Sequence, residues 1–313
     1  MRWEDSRRSD NIEDVRGGGG GGGGFGIPMG GGGLGIGAII ILAIIGWVTG
    51  IDPRVLISGV QNATNGGSSY EQPTQRADTR LSRQSSADSA DSGDAIGGRR
   101  AGDQMSDFVA AILGETEDVW REVLPEQRKI QYVDPKLVLY SGVTRSGCGQ
   151  AQSAMGPFYC PNDQKVYLDL SFFNDMQRRL GGGGDFAYAY VIAHEIGHHV
   201  QNLMGILGKV RERQQQASQQ EANSLSVRIE LMADCLAGVW ANHADAKWKV
   251  LEPGDIDKAM NTASAIGDDR LQKESRGYAV PDSFTHGSSQ QRQDWLKRGL
   301  QSGQVATCNT FAR

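Results

Sequence analysis

Apolar and polar positions divide the chain into three stretches with different periods. No charged residue occurs from Gly17 to Ile51, and Leu34–Ile51 is almost continuously apolar over 18 residues. That length lies at the lower edge of the roughly 17–25 residues that cross a bilayer as a helix. Trp47, near one end, suits an interfacial anchor. The alternatives are a buried core helix or a cleaved signal peptide. A signal peptide places its apolar stretch nearer Met1 and follows it with a small-residue cleavage site, a pattern this chain lacks. The pattern therefore predicts a transmembrane helix over 34–51.

The second stretch, 58–104, is Ser, Gly, Gln, Asp, Arg and Ala with almost no large apolar residue. Such a segment cannot offset its ordering entropy and is expected to be a disordered linker, taken here as 52–104. Helical periodicity begins near Met105, with Phe108, Val109, Ile112, Leu113, Val119, Trp120 and Val123 ahead of a stop at Pro125. Strand patterns follow at Ile130–Val133, Lys136–Tyr140 and Lys165–Leu170. After Gly181–Gly184 the chain reads as helix near 185–204, 213–243, 255–273 and 288–300. Strands followed by helices over about 210 residues point to a single α+β domain, 105–313.

Composition changes this picture at one place. Of 43 glycines, 17 fall in the first fifty positions, eight of them as the unbroken run Gly17–Gly24. Residues 1–33 are therefore expected to be a charged, glycine-rich tail. Arg2, Arg7, Arg8 and Arg16 precede the apolar stretch and only Arg54 closely follows it, so the tail is expected to stay cytoplasmic with the domain outside. The net charge of −5 with mixed signs gives no support to nucleic acid as a partner.

The candidate chemistry sits in Val191-Ile-Ala-His-Glu-Ile-Gly-His-His-Val200. His194 and His198, four apart, stand on one helical face and can hold one metal ion, while Glu195 can reach a water on it. His199 points about 100° away from His198 and reads as a packing residue. A catalytic zinc takes three protein ligands, and the metzincin pattern fails because its third His would fall at Met204. Glu230 and Asp234 share one face of a second helix that the stripe Leu225, Ile229, Met232, Leu236 and Val239 buries. Two buried carboxylates are rarely left unpaired, so Glu230 is expected as the third ligand and Asp234 as acceptor from a ligating His.

Cys148 and Cys160 bracket a Gly/Ser/Pro-rich loop without metal-type spacing. A bridge there would stabilise by about 3 kcal/mol. Cys235 could reach Cys308 in the tail. Disulfides persist in oxidising compartments, in agreement with an extracytoplasmic domain. Ser288 or Ser289 is expected to cap the last helix, and His243 is given no catalytic role.

These motifs resemble the bacterial neutral zinc metallopeptidases. The likeness is carried by Cys148–Cys160, Val166–Leu170, Ala193–Gln201, Glu230–Trp240, Leu251–Ile256, Ala265–Asp269 and His286–Arg292, covering nearly all of 103–313. The His-Glu-x-x-His and Glu-x-x-x-Asp pair is similar to that of thermolysin-like gluzincins. The resemblance implies a zincin-like, membrane-anchored endopeptidase at the bacterial inner membrane, with one Zn²⁺ and a peptide or protein as substrate. It implies Val166–Leu170 as the edge strand along which substrate lies. By likeness to CAAX-type metalloproteases it implies His286 as a hydrogen-bond donor to the oxyanion, with Arg292 holding its loop or a substrate carbonyl. The rival readings are a metal-binding pseudo-protease that recruits a partner, and a zinc amidase acting on cell-wall peptides.

Overall fold

The computed structural model of the chain describes residues 1–16, 101–180 and 183–312. The expected span 34–51 and most of the linker 52–104 lie outside the described residues. Among those described, no helix is long and apolar enough to cross a membrane. Helix α1 (Ala101–Arg128) begins at Ala101, ahead of the expected start near Met105, and runs through Pro125 where a stop is expected.

The architecture is mixed α+β, mostly helical with two small sheets. Strands β1 (Ile12–Asp14), β2 (Lys136–Tyr140), β3 (Val143–Ser146), β4 (Gly149–Gln152), β5 (Phe158–Cys160) and β6 (Lys165–Asp169) precede most of the helices. These are α2 (Ser171–Leu180), α3 (Asp185–Leu203), α4 (Ile206–Gln216), α5 (Gln219–Trp248), α6 (Asp255–Ala265), α7 (Asp268–Arg276) and α8 (Ser289–Ser302). The main sheet has the order β1-β2-β6-β5, and β3 and β4 form a separate hairpin. β2 and β6 run parallel, pairing Leu137 with Val166 and Leu139 with Leu168, and β5 closes antiparallel on β6. Both centre strands are buried on both faces, as the near-continuous apolar runs Lys136–Tyr140 and Lys165–Asp169 require.

Three sequence expectations are corrected here. Ile130–Val133 forms no strand. Val166–Leu170 is not an edge: β6 lies between β2 and β5, and among the described residues β5 is the edge on that side. The charged tail does not stand apart, because β1 pairs parallel with β2, Ile12 against Leu137, and Trp3 is buried in the main core. Periodicity missed β1 because three residues with one apolar side chain carry no alternation signal.

The helices break where local chemistry interrupts them. The expected 213–243 segment is two helices, because Ser218 caps α5 by accepting a hydrogen bond from the Glu221 N–H. Ser288, not Ser289, caps α8 in a reciprocal capping box with Gln291. α3 packs on α5 with almost every residue from Phe186 to Gln201 buried. A Cβ at Gly197 would lie 3.0 Å from the Ala233 carbonyl oxygen, so glycine at this crossing permits the two helix axes to approach closely. That crossing sets His194 and His198 beside Glu230 and Asp234.

Candidate metal centre

Four side chains meet at the α3–α5 crossing. His194 Nε2 lies 3.1 Å from Glu230 Oε2, and His198 Nε2 lies 3.6 Å from Glu230 Oε1. Ligand atoms of His194, His198 and Glu230 all fall within 4.8 Å of one another. The outer nitrogen of each imidazole is also held. His194 Nδ1 donates to Asp234 Oδ1 at 2.8 Å, and His198 Nδ1 to Gln201 Oε1 at 3.0 Å. Gln201 is in turn fixed by donating to the Ile229 carbonyl at 2.7 Å. Both rings thus turn Nε2 toward one point, the arrangement outer partners enforce around a metal.

Charge agrees with geometry. Burial opposes the charged form of His194, but the charge of Asp234 and hydrogen bonds to Asp234 and Glu230 outweigh it and raise its pKa. Burial likewise opposes ionisation of Glu230, yet the two imidazoles hold its pKa well below the usual carboxylate range. Two imidazoles and one carboxylate around a shared point, with protons a divalent cation would displace, are a donor set that fits zinc.

Asp234 is fully buried and is the hub of the network behind the donors. Tyr190 donates to its Oδ1 at 2.6 Å, and Arg292 grips it bidentately, Nε to Oδ2 and Nη2 to Oδ1, both at 2.8 Å. This corrects the expectation for Arg292. It is 3% exposed and pairs with Asp234, so it neither faces a substrate carbonyl nor holds the His286 loop.

Asp268 holds that loop instead. Its Oδ2 accepts the backbone N–H of Thr285 and His286 at 2.7 Å and of Gly287 at 3.2 Å, and its Oδ1 accepts from His286 Nδ1 at 3.1 Å. Burial lowers the pKa of His286, but the Asp268 charge and hydrogen bond carry it above the ordinary value, with Glu230 contributing in the same direction. The loop lies against the helix that carries Glu230: a Cβ at Gly287 would stand 3.1 Å from Leu231 Cδ2.

Glu195 is buried beside the donors. Desolvation raises its pKa, against opposing contributions from His194, His198 and the backbone of Tyr159 on β5. His199 is a packing residue, as expected: Nε2 donates to the Val133 carbonyl at 2.6 Å and Nδ1 accepts from Tyr159 at 3.0 Å. His243 donates to the Gly303 carbonyl, far from this chemistry. Both expected disulfides are formed, Cys148–Cys160 and Cys235–Cys308. A separate cavity of about 810 Å³ between α4, α5 and the C-terminal residues contains none of these donors.

Sequence reasoning missed Tyr190, Gln201 and Asp268. The first two had a usable signal, since Tyr190 lies four residues before His194 and Gln201 three after His198 on the same helical face. Asp268 joins its partners only through tertiary contact.

The profile of the family described as "Putative neutral zinc metallopeptidase" matches residues 1–311. The "Uncharacterized protein YpfJ" of Escherichia coli K12 is 49% identical over 315 residues, spanning 100% of this chain and 99% of its own length. The "Uncharacterized protein Rv2575" of Mycobacterium tuberculosis is 44% identical over 214 residues, 65% of this chain and 70% of its own. No solved structure matches the chain significantly. The profile match and the full-length likeness to YpfJ place the chain in the neutral zinc metallopeptidase family.

Proposed function

We propose that the chain is a zinc-dependent endopeptidase acting outside the cytoplasm. Glu195 carries this reading: a buried carboxylate of raised pKa adjoins a complete donor set, and a metal held only for structure has no use for a base there. Zinc held by His194, His198 and Glu230 supplies Lewis acidity, which acidifies water and polarises a carbonyl. Glu195 takes the proton of the attacking water and passes it to the leaving amine. Asp234 and Gln201 keep both imidazoles in the Nδ1–H tautomer, and Arg292 balances the charge of Asp234.

His286 acts as the donor to the oxyanion as negative charge develops. Its Nδ1 is committed to Asp268, which leaves Nε2 for the substrate oxygen. The free edge of β5 offers backbone groups for an extended peptide, beside the helix that carries Glu195. The two disulfides support an oxidising compartment, and the apolar 34–51 stretch supports membrane association without requiring that it cross.

The ligand assignment is tested by metal analysis of the purified full chain. About one zinc per chain is expected, retained in Glu195→Gln and depleted in Glu230→Ala. A Glu230→Ala chain that holds zinc as well as the parent would remove Glu230 from the ligand set.

A further inference from the structure

The four arginines of residues 1–16 supply the charge from which a cytoplasmic N-terminus is expected, yet three of them sit in ion pairs. Arg7 Nη2 contacts Glu117 Oε2 at 2.6 Å and Asp118 Oδ1 at 2.9 Å, Arg8 contacts Asp107 at 2.8 Å, and Arg16 pairs with Asp14. The first two bind acids of α1. Glu117 is fully buried and takes further hydrogen bonds from Ser9 and Asn11, at 2.5 and 2.8 Å. Trp3 is 7% exposed, packs edge-on to Phe108 at 5.3 Å and donates Nε1–H to Asp185 at 3.1 Å. The backbone is paired as well: Leu137 N–H donates to the Asn11 carbonyl at 2.8 Å and Val15 N–H to the Leu139 carbonyl at 2.9 Å.

The sequence of α1 is adapted to this segment. Gly114 lies mid-helix, where glycine is less stable than alanine. A Cβ at Gly114 would stand 2.4 Å from the Arg7 carbonyl oxygen, so the helix is left bare where the N-terminal backbone crosses it. The family match, residues 1–311, takes in this segment with the rest.

Residues that share a strand pair and a buried carboxylate cannot be separated by a bilayer. We infer that residues 1–16 and the domain 101–312 occupy one compartment, the oxidising one its disulfides indicate, so that any membrane crossings between Arg16 and Ala101 are even in number. A single crossing at 34–51 would set Arg7 and Glu117 on opposite sides. The arginine count therefore reports ion pairing on the domain and not orientation. The inference is independent of whether the chain is a peptidase.

Cysteine labelling in the full chain tests it, because all four native cysteines are bridged. Asp10 and Gln301 are both exposed. In spheroplasts, Asp10→Cys and Gln301→Cys should react equally with a membrane-impermeant maleimide before permeabilisation. Reaction of Gln301→Cys before and of Asp10→Cys only after permeabilisation would overturn the inference. Reaction of both only afterwards would overturn the oxidising side while keeping the shared compartment. Amide exchange on the purified chain gives a second readout. The amides of Glu13 and Val15, which face β2, should be protected in the parent and lose protection by on the order of tenfold or more in Gly114→Leu. Unprotected amides in the parent would also overturn it.

Discussion

Two fully buried carboxylates organise this molecule, Asp234 behind the metal donors and Glu117 beneath the N-terminal segment. Each is held by an arginine distant in sequence and by hydroxyl or amide partners. They differ in access to water. Arg292 on Asp234 is itself buried, whereas the Arg7 side chain on Glu117 is 41% exposed. A carboxylate whose counter-ion is dry depends on its protein partners, while one whose counter-ion reaches solvent can be partly compensated by water. The first arrangement fixes the orientation of a ligand; the second fastens a segment.

Substitutions should expose that difference, and the largest effect is expected at the dry pair. Arg292→Ala leaves Asp234 buried without its guanidinium partner, held only by Tyr190 and His194, and should destabilise by about 3–5 kcal/mol in denaturant unfolding. It should also weaken zinc binding, because Asp234 orients His194. A stable, fully zinc-loaded Arg292→Ala chain would erase the contrast with Glu117.

His286→Ala comes next. Loss of one donor to the oxyanion should lower kcat by roughly 10²–10³-fold, with KM little changed. If kcat and KM both shift modestly, or only thermal stability falls, His286 is a loop residue held by Asp268 and nothing more.

Glu117→Ala should cost less than Arg292→Ala. It removes the buried charge itself along with the hydrogen bonds from Ser9, Asn11 and Arg7, and the Arg7 charge left behind reaches solvent, so no uncompensated buried charge remains. Zinc content and peptide cleavage should survive, since no metal donor touches this network. A Glu117→Ala chain as unstable as Arg292→Ala would mean that exposure of the arginine does not soften the loss.

The smallest effect is a pH dependence at Asp268 and His286. The pKa of Asp268 is depressed, mainly by the His286 charge working against burial, so its contribution is present above its ordinary value of 3.8 and lost as pH falls. That of His286 is raised, so its contribution is present below 6.5 and lost as pH rises through its folded value. The Tm difference between parent and Asp268→Asn should therefore be greatest between about pH 4 and 6.5. A difference that is flat across pH 3–9 would deny the ion pair.

What the sequence made legible follows the same division. His194, His198, Glu230 and Asp234 declared themselves because helical spacing places them on one face of each of two strongly apolar helices, and unpaired buried carboxylates are too costly to leave. Both cysteine pairs were legible for a similar reason, as few partners existed. Arg292 was singled out with the wrong contact, because nothing local tells which helix α8 will meet. Ile130–Val133 has strand-like residues, but its neighbour His199 uses the Val133 carbonyl in place of a ladder partner. The N-terminal segment was read as a tail because its chemistry is complementary only to α1, about a hundred residues away. Gly114 was the one local sign, and a lone glycine in a helical pattern has many explanations.

On the proposed reading, Glu195 serves as the base beside a zinc held by His194, His198 and Glu230. It is tested by comparing peptide-library cleavage by the zinc-loaded full chain with that by Glu195→Gln at matched zinc content. Glu195→Gln keeps size and polarity and removes basicity, so folding should be unchanged, zinc should stay at about one per chain and kcat/KM should fall roughly 10²–10⁴-fold. Equal cleavage by the two chains, or no cleavage by a parent that carries zinc, would contradict it.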